Sequence, residues 1–215
     1  KVNYSLSDKT SVFGDMQYRS VNYKLSGLDD DLKDIGQKHN FGFFNPKAGL
    51  FLSISPNKDA YLSFSVANRE PTRSDFKESS GDPDAVPEAE TLYDSELGYK
   101  QRSEKSSLAI NLYSMIYRDQ LVPTGELSDV GYSIMTNVDR SYRIGMEVSA
   151  GFKFSDFINW NINMTLSRNI ILDYVEYYTD YNTSDWTSSY KSKSLGTVDI
   201  AYSPTEILTN ELTFK

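Results

Sequence analysis

Apolar and polar residues alternate with a period of two over unusually long stretches of this sequence. From Tyr142 to Phe154 every second residue is apolar or aromatic, and the residues between them include Arg143, Glu147 and Lys153. Successive side chains of a β-strand point to opposite faces, so this spacing predicts a strand with one apolar and one polar face. Strands of soluble proteins are usually about five or six residues long, so runs of about ten or more favour a membrane barrel. The same alternation occurs at 47–54, 61–67, 107–117 and 160–167.

Turn-forming clusters separate these runs in a regular order. Short clusters begin at Ser7, Pro56, Arg102, Ser155 and Ser203, and longer polar stretches lie between them at 26–42, 69–90, 118–131 and 173–190. An up-and-down topology places all short turns at one end of the strands and all long loops at the other, as in outer-membrane barrels. Two strands around each of five short turns predict about ten long antiparallel strands of an all-β transmembrane barrel. A β-propeller or another soluble β architecture is the alternative, because repeats of about 40 to 50 residues occur there too.

Composition removes most enzymatic and nucleic-acid functions. The 215 residues contain no Cys and one His, His39, so thiolate metal sites, cysteine nucleophiles and histidine-based triads lack their parts. The net charge of -8 disfavours a nucleic-acid partner, because neutralising phosphates requires a basic surplus. No run of about 18 apolar residues is present, which excludes a transmembrane helix but leaves a β-barrel open. We therefore predict a binding protein that is not an enzyme and has neither a cofactor nor a metal site.

Charged and aromatic residues are unevenly distributed along the chain. The four long stretches hold 18 of the 30 acidic residues but only 6 of the 22 lysines and arginines. This bias is compatible with loops that project into water, and it equally fits the simpler rule that solvated loops are charged. Aromatic residues cluster near both kinds of connection, which predicts a girdle at each membrane–water interface. Examples are Phe152, Phe154 and Trp160 near short turns, and Tyr18, Phe44 and Tyr117 near long loops.

Several segments resemble the barrel of TonB-dependent outer-membrane receptors. They are Asn45–Leu50, Ala67–Phe76, Pro87–Tyr99, Tyr117–Asp119 and Asn137–Glu147, which follow one another in the family's order over about residues 40 to 170. The Arg-x-Pro-Thr element within them, followed by Pro-Glu, is more similar to the ferric-siderophore branch than to the starch-utilisation branch. The resemblance implies a bacterial outer-membrane receptor that imports a scarce ligand, a ferric siderophore or related iron chelate, with energy from TonB. A passive porin-like barrel and a soluble extracellular glycan-binding protein are the alternatives.

The resemblance also implies a larger protein. Such receptors have a 22-stranded barrel closed by an N-terminal plug, so we expect residues 1–215 to be one partial barrel. The plug, the segment that contacts TonB and about the last two strands would lie outside it, with Ile207–Phe214 as its last strand. The implied partners are outer-membrane lipid, the plug, the TonB complex and the small-molecule or chelate ligand.

Four residues are candidate ligand contacts. Arg69, Arg73 and Asp75 lie at the loop end of a predicted strand, where they could meet an anionic ferric chelate, and the alternative is a salt-bridged rim that fixes the loop. Trp186 lies in a Tyr-rich stretch and is a candidate stacking platform for a sugar, with loop packing as the alternative. Polar residues on the opposite face from the lipid are expected to satisfy one another, the plug and water, because an unpaired buried charge is costly. Those residues include Arg143, Glu147, Asn161 and Asn163.

Overall fold

A single antiparallel sheet contains all the described strands of the computed structural model. The structure describes residues 1–28, 32, 34–78, 86–128, 131–182, 187–199 and 207–214. Its strands are β1 (Val2–Ser7), β2 (Thr10–Leu25), β3 (Gln37–Ser55), β4 (Lys58–Arg69), β5 (Glu90–Arg102), β6 (Ser106–Leu127), β7 (Ser133–Lys153), β8 (Ile158–Asn182), β9 (Thr187–Asp199) and β10 (Ile207–Phe214). One short helix, α1 (Arg73–Glu78), joins β4 to β5. None of the described helical segments is long and apolar enough to cross a membrane. The predicted all-β, up-and-down antiparallel architecture is confirmed.

The strand register gives the sheet one apolar and one polar face. On β6, Leu112 lies opposite Met146 of β7, whereas its neighbour Asn111 lies opposite Glu147. Many large side chains of the apolar face are exposed, and Leu112 itself is 43% exposed. A continuous exposed apolar face of this size is what a lipid-facing wall requires. Its exposed members include Met16, Leu50, Leu62, Phe64, Leu97, Leu112, Ile116, Ile144 and Leu212.

The connections follow the predicted order with two corrections. Four short turns lie where they were predicted, and the fifth, at 203–206, lies outside the described residues. The stretches 118–131 and 173–190, predicted as long loops, are mostly strand, because β6 continues to Leu127 and β8 to Asn182. A membrane crossing needs only about 9–11 residues, so these strands extend well past the apolar band as paired ribbons. Hydrogen bonding between neighbouring strands keeps them extended even where the apolar alternation has ended.

A small apolar cluster supports the extended part of β6, β7 and β8. Val122, Val138 and Ile171 are each about 95% buried there, and Tyr174 packs against them. The Tyr174 hydroxyl donates a 2.5 Å hydrogen bond to the Pro123 carbonyl oxygen, which ties β8 to β6 across the intervening strand. Mutual burial of these side chains therefore stabilises the strands beyond the exposed apolar band.

The last strand pairs differently from the prediction. A reversal near residue 203 would have placed Ile207–Phe214 beside β9, but β10 pairs with the first half of β8, from Thr165 back to Ile158. β9 pairs with the second half of β8, between Ile170 and Asn182. Since β9 ends opposite Ile170, β10 provides hydrogen-bond partners for a part of β8 that would otherwise be an open edge.

The short-turn end carries an aromatic cluster on the apolar face. Phe152, Phe154 and Trp160 have ring centroids 6.0–6.4 Å apart, and Phe154 is 62% exposed. Amphipathic and aromatic rings favour the boundary between hydrocarbon and water, so this cluster matches the girdle predicted for that end of the strands.

Aromatic rings cover glycines at three cross-strand pairs of the polar face. Tyr61 lies opposite Gly98, Tyr113 opposite Gly145, and Phe13 opposite Gly49. At each pair the ring occupies the space that a glycine Cβ would fill. The missing side chain thus lets a ring lie flat on the neighbouring strand, a known device for stabilising strand glycines.

Gly145→Ala is expected to destabilise the barrel by about 1–3 kcal/mol, the usual cost of overpacking a close contact. The new methyl group would meet the Tyr113 ring and would lie 2.7 Å from the Leu166 carbonyl oxygen of β8, a backbone atom that cannot easily move. Gly14→Ala is the matched control, because nothing lies within 4 Å of its Cβ position. Urea unfolding of both variants in lipid vesicles measures the difference, and equal stabilities would contradict the ring-on-glycine packing.

Candidate ligand-facing site at the long-loop end

An arginine on β2 binds the start of the connection between β4 and β5. The Arg19 guanidinium donates hydrogen bonds of 2.9 and 2.5 Å to the two Glu70 carboxylate oxygens and one of 3.1 Å to the Asn68 carbonyl. The Arg19 Cζ atom lies 4.8 Å from the centroid of the Phe43 ring, so the planar group packs on that ring. A bidentate, stacked arginine is the strongest form of such a pair, so Arg19 fixes where the chain leaves β4.

Protonation of Glu70 is expected to loosen this connection. Burial raises the pKa of the Glu70 carboxyl, but the Arg19 hydrogen bond, a backbone hydrogen bond and the Arg19 and Arg69 charges outweigh burial and lower the pKa overall. A carboxyl whose pKa is lower when folded stabilises the fold above its unfolded pKa, and that contribution disappears as the pH falls through the folded pKa. Hydrogen exchange at residues 70–78, corrected for intrinsic rates, should rise below about pH 4 in the native protein. In Glu70→Gln the protection should be lower at neutral pH and should change less with pH than in the native protein, and an unchanged pH response would contradict this role.

A second ion pair joins β4, β5 and β6. Arg69 Nε lies 3.0 Å from Glu90 Oε1, and Glu90 Oε2 accepts a 3.3 Å hydrogen bond from the Leu121 backbone. Arg69 is 58% exposed and Glu90 only 13%, so the carboxylate is the buried centre of this contact. Arg69 therefore has a structural partner at the loop end of its strand.

Helix α1 begins at a capping box. The Thr72 hydroxyl and backbone N–H both donate to Asp75 Oδ2, at 2.8 and 2.7 Å, and the Asp75 N–H lies 3.5 Å from Thr72 Oγ1. This reciprocal pattern satisfies donors that a helix N-terminus leaves free. Asp75 thus caps the N-terminus of α1. The sequence prediction missed this helix, although the Thr-x-x-Asp spacing signals it.

A buried phenylalanine attaches α1 to the polar face of the sheet. Phe76 has no exposed surface, and its ring stacks on His39 with centroids 4.0 Å apart and lies 5.6 Å from Tyr23. Gln37 Nε2 donates a 2.9 Å hydrogen bond to the Phe76 carbonyl. Phe76 therefore anchors the β4–β5 connection on β2 and β3, and His39 is part of that anchor.

An asparagine on β7 holds the other end of the same connection. Asn137 Oδ1 accepts a 2.8 Å hydrogen bond from the Glu88 backbone, and Asn137 Nδ2 donates to the carbonyls of Glu88 and Asp119 at 3.1 and 2.6 Å. Asp119 has a positive φ of 52°, a conformation uncommon outside glycine that the asparagine contact supports. The connection is therefore fixed at residue 70, at residue 76 and at residue 88.

These contacts give some of the predicted site residues a structural role and leave others without one. Arg69 pairs with Glu90, as in the salt-bridged alternative, and Asp75 caps α1. Arg73 is exposed and makes no hydrogen bond or ion pair among the described residues. Trp186 lies outside the described residues. Sequence reasoning missed Arg19 and Asn137 as anchors, because their partners are 51 and 49 residues away along the chain.

Further towards the short turns, the polar face satisfies part of its own hydrogen bonding. Tyr61 donates a 3.0 Å hydrogen bond to Asn111 Oδ1, and Ser149 donates one of 2.8 Å to Asn163 Oδ1. The Arg143 guanidinium lies 5.2 Å from the Tyr117 ring centroid. A cavity of about 560 Å³ opens at the short-turn end of this face and is lined by Lys100, Arg102, Asn161, Asn163 and Glu211 among others. The face thus has the polarity of an aqueous lumen.

Comparison with known proteins identifies the architecture. Residues 2–209 match the family model for the TonB dependent receptor-like β-barrel. The chain belongs to this family. No curated protein matches the sequence of this receptor barrel.

Three solved structures with a similar fold are described as a copper transporter, an iron transporter and a ferric yersiniabactin uptake receptor. The copper transporter OprC has a TM-score of 0.68 at 12% identity, over 87% of this chain and 29% of its own. The FrpB iron transporter from Neisseria meningitidis has a TM-score of 0.60 at 16% identity, over 80% of this chain and 25% of its own. The ferric yersiniabactin uptake receptor FyuA from Yersinia pestis has a TM-score of 0.56 at 12% identity, over 99% and 36%. This chain thus spans about a quarter to a third of the length of these proteins.

Proposed function

We propose that this chain is part of a bacterial outer-membrane receptor that imports a scarce metal chelate, of the ferric-siderophore type, with energy from TonB. The observation that carries the proposal is the division of the sheet into an exposed apolar face and a polar face in a chain of the TonB-dependent receptor family. The apolar face meets lipid, the polar face meets the plug and water, and the long-loop end receives the ligand. Metal and siderophore transport by the structurally similar proteins supports a chelate as the ligand class.

Within this proposal Arg73 contacts the ligand, and its neighbours position it. The guanidinium is exposed and has no polar partner among the described residues, so it is available to an anionic chelate. The capping carboxylate of Asp75 and the buried ring of Phe76 hold the helix that carries Arg73 at the mouth of the polar face. Arg73→Gln should therefore weaken chelate binding by about tenfold, the value of one charge-assisted contact, without changing barrel stability.

Uptake by the complete receptor tests the function. A strain lacking its other iron receptors, and expressing the full-length gene, should accumulate radioactive iron from the cognate ferric siderophore, and deletion of the TonB gene should abolish accumulation. Screening several siderophore classes identifies the ligand. Uptake that persists without TonB would favour a passive porin, and a chain that stays monomeric and folded without detergent would favour a soluble protein.

A further inference from the structure

Two arginines lie side by side on the outward face of the sheet, just past the apolar band. Arg118 of β6 is directly opposite Arg140 of β7, and both side chains are exposed. Two residues closer to the short turns, the same two strands carry Ile116 opposite Tyr142, and Ile116 is 50% exposed on the lipid side. The arginine pair therefore marks the edge of the apolar wall at the long-loop end.

No carboxylate neutralises this pair among the described residues. Arg118 has an aromatic neighbour instead, with its guanidinium 5.7 Å from the Tyr93 ring centroid on the same outward face. The alternation of β7 puts the adjacent Asp139 on the polar face. Like charges directly opposite each other in an antiparallel pair, with Cβ atoms about 4.5–5.5 Å apart, destabilise a sheet unless an anion lies between them.

Two arginines at the same end of the polar face, unlike the outward pair, have carboxylate partners. Arg19 pairs with Glu70 and Arg69 pairs with Glu90, so a carboxylate neutralises each of these two inward guanidinium groups. The outward pair lies where the hydrocarbon ends and the headgroup region begins, a region of anionic groups that attracts basic residues.

We propose that Arg118 and Arg140 bind the phosphate of a lipid headgroup in the outer leaflet. Two guanidinium groups can each donate two hydrogen bonds to phosphate oxygens, and the Tyr93 ring limits the motion of Arg118. One bound phosphate relieves the repulsion between the two side chains. The inference rests on the membrane position in the proposed function and is independent of the ligand and of TonB.

Lipid binding by the complete receptor tests the site. The purified protein is titrated in neutral detergent with diphosphoryl lipid A, with dephosphorylated lipid A and with inorganic phosphate, and binding is followed by native mass spectrometry. Arg118→Gln/Arg140→Gln should weaken binding of diphosphoryl lipid A by about ten- to thirtyfold, given the usual contribution of a basic residue at an anionic surface. Arg143→Gln is the matched control, because Arg143 lies on β7 three residues away and faces the lumen. The affinity of Arg143→Gln for diphosphoryl lipid A should stay within about twofold of that of the native protein.

The proposal is overturned if the double variant binds as the native protein does, or if Arg143→Gln loses as much. Dephosphorylated lipid A should bind the native protein no better than diphosphoryl lipid A binds the double variant. Inorganic phosphate that competes at equal concentration would show a small-anion site instead of a lipid site. Heat-modifiable gel mobility confirms that each variant has a folded barrel, and ligand uptake by the double variant separates this site from the transport function.

Discussion

Leu112→Lys is expected to weaken assembly of the barrel in lipid by about 2–4 kcal/mol, the cost of a basic residue at the bilayer midplane. Leu112 lies near the middle of the apolar stretch of β6, between Leu108 and Ile116, and is 43% exposed on the outward face. Its cross-strand neighbours Leu97 and Met146 are apolar, so nothing near the new ammonium group can neutralise it. Ile110→Lys, one outward position away, should cost a similar amount.

The neighbouring substitution Asn111→Lys is the matched control. Asn111 lies opposite Glu147 on the polar face and accepts a hydrogen bond from Tyr61, so a lysine there can reach both water and a carboxylate. Its effect should stay below about 1 kcal/mol, since surface ion pairs and single hydrogen bonds contribute at about that level. Urea titration of the full-length protein refolded into phosphatidylcholine vesicles measures both changes. Equal losses at positions 111 and 112 would contradict the assigned faces.

Phe76→Ala is expected to release α1 from the sheet. Truncating a fully buried phenylalanine usually costs about 3–5 kcal/mol, and here the loss falls on a local contact with His39 and Tyr23 and not on the barrel itself. Residues 72–78 should therefore lose hydrogen-exchange protection by at least about a hundredfold, whereas β6 and β7 keep theirs. Chelate affinity should fall together with protection, because Arg73 is then no longer held at the mouth of the polar face.

Tyr132→Ala is the control for this prediction. Tyr132 also lies at the long-loop end, but its side chain is 58% exposed, and no ring contact or side-chain hydrogen bond joins it to α1 in the part of the chain that the structure describes. The variant should leave the protection of residues 72–78 unchanged. If Phe76→Ala keeps native protection in that segment, the Arg19–Glu70 pair and the Asn137 contacts are sufficient to hold the connection without the aromatic anchor.

The alternation of side chains made most of the fold predictable. Any strand with lipid on one side must be apolar at every second position. The faces of Leu112 and Asn111 can therefore be assigned from the sequence alone. Outside the membrane this constraint ends, and the extended parts of β6 and β8 were predicted as loops for that reason. The pairing of β10 with β8 depends on competition between strand edges, which no local pattern encodes.

The candidate site was predictable only in part. The sequence drew attention to the connection between β4 and β5, and the pairing of Arg69 with Glu90 matches the salt-bridged alternative. The decisive contacts of that connection join residues about 50 positions apart, such as Arg19 with Glu70 and Asn137 with Glu88. A single sequence has no local signal for such pairs, because the sheet register that brings them together is a property of the whole fold.

Site-directed spin labelling along β6 can show whether one face of the strand meets lipid and the other meets water. The sequence contains no cysteine, so single cysteines at positions 108 to 116 of the complete receptor can each be labelled, provided any cysteines elsewhere in that protein are removed. In lipid vesicles, collision with oxygen should peak at positions 108, 110, 112, 114 and 116, and collision with a water-soluble nickel chelate should dominate at 109, 111, 113 and 115. A smooth profile without a period of two, or maxima on the opposite set, would contradict a lipid-facing apolar wall with a lumen behind it.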